Sequence, residues 1–317
     1  MMMHYTHVAF SSSGTQGLLY EGVIEALEDH VPEYEAWAAA LRGVAGTSGG
    51  AVAALMLALQ VPRARRRELV YWAGDVRNWV TPDVGSLVRN YGVDDGRDLR
   101  AFVQEILVSG GLSAATTMAD LRRLVRVDVV FVAHDLLEAL PVHLSAATAP
   151  DMHVADAVVA SCAIPLVFTP VAYRGMQLVD GMLTEHAPAV FDDKETLHVV
   201  VPFRPAPTDL KGWFEYVNAL MRASRRPQEA RVAALLDKST TIRVAHPLSQ
   251  PSNPLQAYDD DGVNLQLRCG YAVALGWWYR TLNASLFHFV VRYMECISPV
   301  SACPDSEDES EPCPGSG

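Results

Sequence analysis

No two of the five cysteines (Cys162, Cys269, Cys296, Cys303 and Cys313) have zinc-ligand spacing such as Cys-x-x-Cys, and their number is odd. That argues against a structural metal site and for free thiols in a reducing compartment. An excess of positive charge is also lacking. Lysine and arginine total 25 against 37 aspartates and glutamates, a formal charge of −12. General nucleic-acid binding does not suit that balance. Five of the acids (Asp305, Glu307, Asp308, Glu309 and Glu311) fall in 301–317, so the rest of the chain is only mildly acidic. No run of about 20 residues is free of both charge and polarity, so no transmembrane helix is expected. The nearest, 271–278, is stopped by Arg280. The opening Met-Met-Met-His-Tyr-Thr-His lacks a charged segment followed by an apolar one, so the expected location is cytoplasmic or peripheral to a membrane. Internal repeats and the Gly-x-Gly-x-x-Gly dinucleotide fingerprint are absent too.

What is present is an ordinary globular composition, 50% hydrophobic and 20% charged over 317 residues, enough to bury a sizeable core. Residues 5–10 read as a short strand ending in a small-residue turn. A helix follows from about Gly17, because Leu19, Val23, Ala26 and Leu27 share one face. Residues 41–45 read as a second strand and 51–59 as a helix apolar on every side, hence deeply buried. Residues 62–91 look helical but irregular, and 99–107 and 118–124 look like short helices. The near-continuous apolar run 127–133 reads as a strand covered on both faces. A helix at 154–160 and short strands at 177–179 and 197–201 follow, and the last third is mostly helical. Strands alternating with helices imply an α/β class with helices covering a parallel or mixed sheet. The Pro/Ser/acid-rich 301–317 reads as a disordered tail.

Three motifs carry chemistry. Gly46-Thr47-Ser48-Gly49-Gly50 fits Gly-x-Ser-x-Gly, a sharp strand-to-helix turn that exposes a serine hydroxyl. Gly46 and Gly50 flank the serine because a side chain there would collide or block approach. Ser48 would sit at a helix N-terminus, whose dipole favours negative charge. Second, Ser12-Ser13-Gly14-Thr15-Gln16-Gly17 follows the first strand. Its backbone N–H groups suit an oxyanion, and the same residues also suit a plain helix cap. Third, Asp180-Gly181 ends a strand, where it is either a cleft carboxylate or an ordinary turn. A serine nucleophile needs a base. A histidine triad built from Asp180 with His198, His246 or His288 keeps the order Ser, Asp, His, yet Ser48 comes early for that fold. The alternative is a carboxylate that takes the serine proton directly.

Together these motifs resemble the patatin-like phospholipase family. Ala160-Ser161-Cys162-Ala163-Ile164-Pro165 with 168–171, the stretch 183–188, Gly92-Val93-Asp94-Asp95-Gly96 and 117–135 look similar to the family as well, and Gly270-Tyr271 resembles its last helix. The resemblance implies a three-layer α/β/α fold around a mixed, mostly parallel sheet. It implies a single catalytic domain over 1–300, with core motifs in about 5–205 and a helical part in about 206–300. It further implies lipid acyl hydrolysis through a Ser48–Asp180 dyad and a covalent acyl-enzyme. Ser12, Ser13, Gly14 and Thr15 would form the oxyanion hole, with Gly17 closing that motif and Gly181 following the aspartate. No metal or cofactor is called for. The expected partner is lipid at a membrane or micelle surface, with an unidentified activating protein as a further expectation. Two departures stand out. Ser12 and Ser13 replace two glycines, and Gln16 replaces a cation. They leave open a catalytically impaired module that binds lipid or protein. Arg63, Arg65, Arg66 and Arg67, then Arg222, Arg225 and Arg226, form basic runs that could touch anionic lipid or be solvated helix faces. Trp72, Trp79, Trp277 and Trp278 are candidate interfacial anchors or core.

Overall fold

The computed structural model describes residues 3–203, 213–244 and 257–282. Strand β1 (His7–Phe10) passes through a 3-10 turn into α1 (Leu18–His30), and α2 (Tyr34–Ala39) returns the chain to β2 (Gly43–Thr47). Helix α3 (Gly49–Ala58) starts one residue after β2. A helical stretch follows: α4 (Arg63–Gly74), α5 (Val84–Asn90), the short β3 (Gly92–Asp94), α6 (Arg97–Ser109) and α7 (Met118–Val125). The chain then forms β4 (Asp128–Asp135), β5 (Leu140–Leu144), α8 (Val154–Cys162), β6 (Leu166–Phe168), β7 (Val171–Tyr173) and β8 (Met176–Asp180). The last described elements are β9 (Thr196–Val200), α9 (Trp213–Leu236), β10 (Thr241–Arg243) and α10 (Asp260–Leu282).

The main sheet has the order β10-β9-β1-β2-β4-β8-β7, with β5 also paired to β4. Neighbours from β10 to β4 are parallel, whereas β4–β8, β7–β8 and β4–β5 are antiparallel. A separate parallel pair joins β3 and β6. The expected mixed, mostly parallel sheet between helices is what the chain forms. Strand alternation divides the two faces. Val8, Val44, Val129 and Leu197 share a register level and enter the main core with α1, α3 and α8. The next level, Ala9, Ala45 and Val130, faces the other way, against Val190 and Phe191. Further along that side Val200 packs on Val232 and Leu235 of α9.

Helix α3 is buried almost all round, as its uniformly apolar sequence requires. It lies so close to β2 that a Cβ on Gly46 would come 2.2 Å from the Gly50 carbonyl oxygen. Helices α1 and α10 approach equally closely: a Cβ on Gly22 would meet the Leu267 oxygen at 2.0 Å, and one on Gly270 the Leu19 oxygen at 1.9 Å.

Two readings left open by the sequence are narrowed by the packing. The arginines of α4 do not form a free cationic face. Arg63 pairs with Glu28 and Asp29, Arg65 with Glu68 and Glu105, Arg66 with Glu21 and Glu28, and Arg67 with Glu25. Carboxylates of α1 thus neutralise most of the run, because the two helices pack side by side. Nor are the tryptophans a common interfacial set. Trp277 and Trp278 are core, and Trp72 stacks on Phe102 at 5.0 Å. The side chains of Arg222, Arg225 and Arg226, together with His246, His288 and the 301–317 tail, lie outside the described residues. Among the described residues no helix is long and apolar enough to cross a membrane.

Candidate active site

The serine turn forms because β2 ends at Thr47 and α3 begins at Gly49, leaving one residue to reverse direction. That residue, Ser48, takes φ 56° and ψ −127°, a strained geometry for a side-chain-bearing residue. The strain is held from several sides. The Ser48 amide donates to Ser161 Oγ at 3.0 Å, and the Ser161 hydroxyl donates to the Val132 carbonyl at 2.6 Å. Thr47 Oγ1 donates to the Glu185 carbonyl at 3.0 Å. Gly50 is required by closeness alone, since a Cβ there would sit 2.4 Å from the Ser11 oxygen.

Asp180 arrives from an antiparallel strand. Ala133 of β4 is opposite Asp180 in β8, and Val132 is opposite Thr47 in β2. Two register matches therefore bring the aspartate to the level of the serine. Ser48 Oγ donates to Asp180 Oδ2 at 2.7 Å. The other carboxylate oxygen accepts the Met182 amide at 2.8 Å, and the Asp180 amide donates to the Ala163 carbonyl. The carboxylate is fully buried, and a Cβ on Gly181 would come 2.3 Å from the Val132 oxygen, so no side chain fits between this strand end and β4.

The small-residue turn lies against this pair. A Cβ on Gly49 would be 2.5 Å from Ser13 Oγ and 2.7 Å from the Gly14 oxygen. The left-handed position in the turn is Gly14, at φ 58°, while Ser13 sits at φ −147°. Replacement of glycine by Ser13 therefore costs no left-handed strain. The amides of Ser13 and Gly14 have no acceptor among the described residues. Ser12 differs: its amide donates to the His186 carbonyl at 2.8 Å. It is part of the turn but not a free donor, which corrects its place in the expected oxyanion set. Gln16, where a cation was expected to be missing, is buried.

An apolar cavity opens over Ser48, walled by α1, α3, α4 and α6 and reaching Met56, Trp79 and Phe168. Its volume is about 100 Å3, with a wider space toward the open mouth. Its wall holds Glu21, whose carboxyl burial pushes up to about 7 against the opposing pull of Arg66. Cys162 also faces the cavity, and burial, with the Asp180 charge adding, pushes its thiol well above the usual range. His198, one of the triad candidates, lies on β9 with Nε2 3.1 Å from Asp193. The Ser48 hydroxyl is already committed to Asp180.

Sequence reasoning singled out Ser48, Asp180 and the turn, and the fold brings them together. It gave no role to Ser161, His186 or Gln228. The available signal for Ser161 was one hydroxyl in an otherwise apolar, small-residue helix end. Nothing local marks His186 or Gln228, whose importance depends on contacts between distant segments.

A comparison with curated proteins finds no match to this chain. Among solved structures, VipD from Legionella pneumophila superposes with a TM-score of 0.53 at 15% identity, covering 86% of this chain and 66% of VipD. The ExoU–SpcU complex from Pseudomonas aeruginosa gives a TM-score of 0.49 at 16% identity, covering 93% of this chain and 58% of that one. This chain thus spans less than two thirds of either protein, and the VipD likeness concerns the fold alone. The family model for patatin-like phospholipases matches residues 8–191, from β1 through the serine turn and Asp180-Gly181. With more than half of its length under that match, the chain belongs to the patatin-like phospholipase family.

Proposed function

We propose that this chain hydrolyses carboxylic esters of lipids, with Ser48 as nucleophile and Asp180 as general base. The observation that carries the reading is the 2.7 Å bond from Ser48 Oγ to the buried Asp180 carboxylate at the foot of an apolar cavity. Asp180 accepts the hydroxyl proton as Ser48 Oγ attacks the ester carbonyl. The Met182 amide on the second oxygen keeps the base oriented. The tetrahedral oxyanion is held by the Ser13 and Gly14 amides, each such donor typically being worth about 2.7–4 kcal/mol. The N-terminus of α3 favours the same negative charge. The alcohol or lysophospholipid leaves with the proton from Asp180. Water, deprotonated by Asp180, then attacks the acyl-enzyme and frees the fatty acid and Ser48. The apolar wall suits an acyl chain and excludes water around the ester.

Labelling with a fluorophosphonate probe, which reacts with activated serines, tests the dyad. The wild type should label, with and without vesicles, and both Ser48→Ala and Asp180→Asn should abolish labelling in folded protein. An unlabelled, folded wild type would favour a lipid-binding module without turnover. Labelling that persists in Ser48→Ala would assign the nucleophile elsewhere.

A further inference from the structure

We infer that His186 is a positioning residue that latches the oxyanion turn through Ser12, an inference that rests on the ester-hydrolysis reading above. The His186 Nε2 lies 2.7 Å from the Val201 carbonyl, which can only accept, so Nε2 carries a proton. In the neutral ring Nδ1 is then an acceptor, and it takes the Ser12 hydroxyl at 2.5 Å. The Ser12 amide meanwhile donates to the His186 carbonyl at 2.8 Å. One residue thus grips Ser12 by both side chain and backbone, immediately before the Ser13 and Gly14 amides.

The other end of the latch runs to the base. The His186 amide donates to Gln228 Oε1. Gln228 Nε2 donates to the Leu183 carbonyl at 2.9 Å and to the Met182 carbonyl at 3.2 Å. Those residues follow Asp180-Gly181 directly. Ser12, His186 and Gln228 are all buried, so water cannot easily substitute for a lost partner. The network therefore fixes the distance between oxyanion donors and base. The hydroxyl of Ser12 gives its departure from glycine a use: glycine in that position would have no group for Nδ1.

The test uses isosteric halves of the imidazole. His186→Asn places an amide oxygen near Nδ1 and keeps an acceptor for Ser12, whereas His186→Gln reaches the Nε2 position and loses it. Ser12→Ala and His186→Gln should each lower kcat about ten- to a hundred-fold with KM unchanged, the scale of a slight misplacement of catalytic groups. The double variant should be no worse than either single one. His186→Asn should restore most of kcat. Hydrogen–deuterium exchange over residues 12–15 should quicken in Ser12→Ala and His186→Gln and not in His186→Asn. Unchanged kcat and exchange in folded Ser12→Ala would overturn the latch, as would equal impairment by Asn and Gln. If the wild type neither labels nor hydrolyses any ester, the functional reading falls, and the exchange data alone still decide whether the latch exists.

Discussion

One hydroxyl touches the serine turn at its most strained residue. Ser161 Oγ is the acceptor for the strained Ser48 amide and the donor to Val132, so Ser161→Ala removes a partner from each of two buried backbone groups. The expected cost is about 1–3 kcal/mol for such a group, together with slower fluorophosphonate labelling, because Ser48 loses the bond that opposes its strain. Denaturant unfolding and labelling rates measure the two effects. Equal stability in the variant would mean the Ser48 turn is held by its other contacts. At this scale the chain could be read in part. Ser48 and Asp180 sit in short patterns whose meaning is local, a turn between strand and helix and a turn after a strand. Ser161 and His186 act across 113 and 174 residues of chain respectively, and no local pattern can announce such a partner.

Among the elements, α1 and α10 meet backbone to backbone. Gly270→Ala would drive a methyl into the Leu19 carbonyl oxygen, only 1.9 Å away. The helices must separate, at a cost of about 1–3 kcal/mol for overpacking. Arg268→Ala, on the exposed side of the same helix, should stay within about 0.5 kcal/mol of wild type. Thermal unfolding compares them, and an unaffected Gly270→Ala would show that the two helices yield freely. The long helices were legible because their apolar positions repeat: α1 and α6 appear within a few residues of the expected spans. The three-residue strands β6, β7 and β10 were not, since three residues cannot display a period of two. The basic run of α4 was visible as charge. Its neutralisation by α1 was not, because pairing of Arg66 with Glu21 depends on how two helices dock.

For the molecule as a whole, the sheet sets both stability and activity. His198 is buried in β9, and burial, only partly offset by Asp193, lowers its pKa to about 4. Above the ordinary value near 6.5 both folded and unfolded chains hold a neutral imidazole, and its full contribution to stability is present. As pH falls from about 6.5 to 4 the unfolded chain binds a proton that the folded one refuses, so up to about 3 kcal/mol is lost. Denaturant unfolding at a series of pH values should show this decline, and His198→Gln should flatten it. An identical slope in the variant would assign the acid sensitivity to other groups. The fold class was legible from alternation alone, whereas the antiparallel placement of β8 was not. That placement has a consequence in time. Ser48 is set by β1, β2 and α3, early in the chain, but its proposed base enters only when β8 docks on β4, 132 residues later. A nascent or partly unfolded chain therefore carries the proposed nucleophile without its base, and the proposed lipid-cleaving activity would stay silent until β8 is docked.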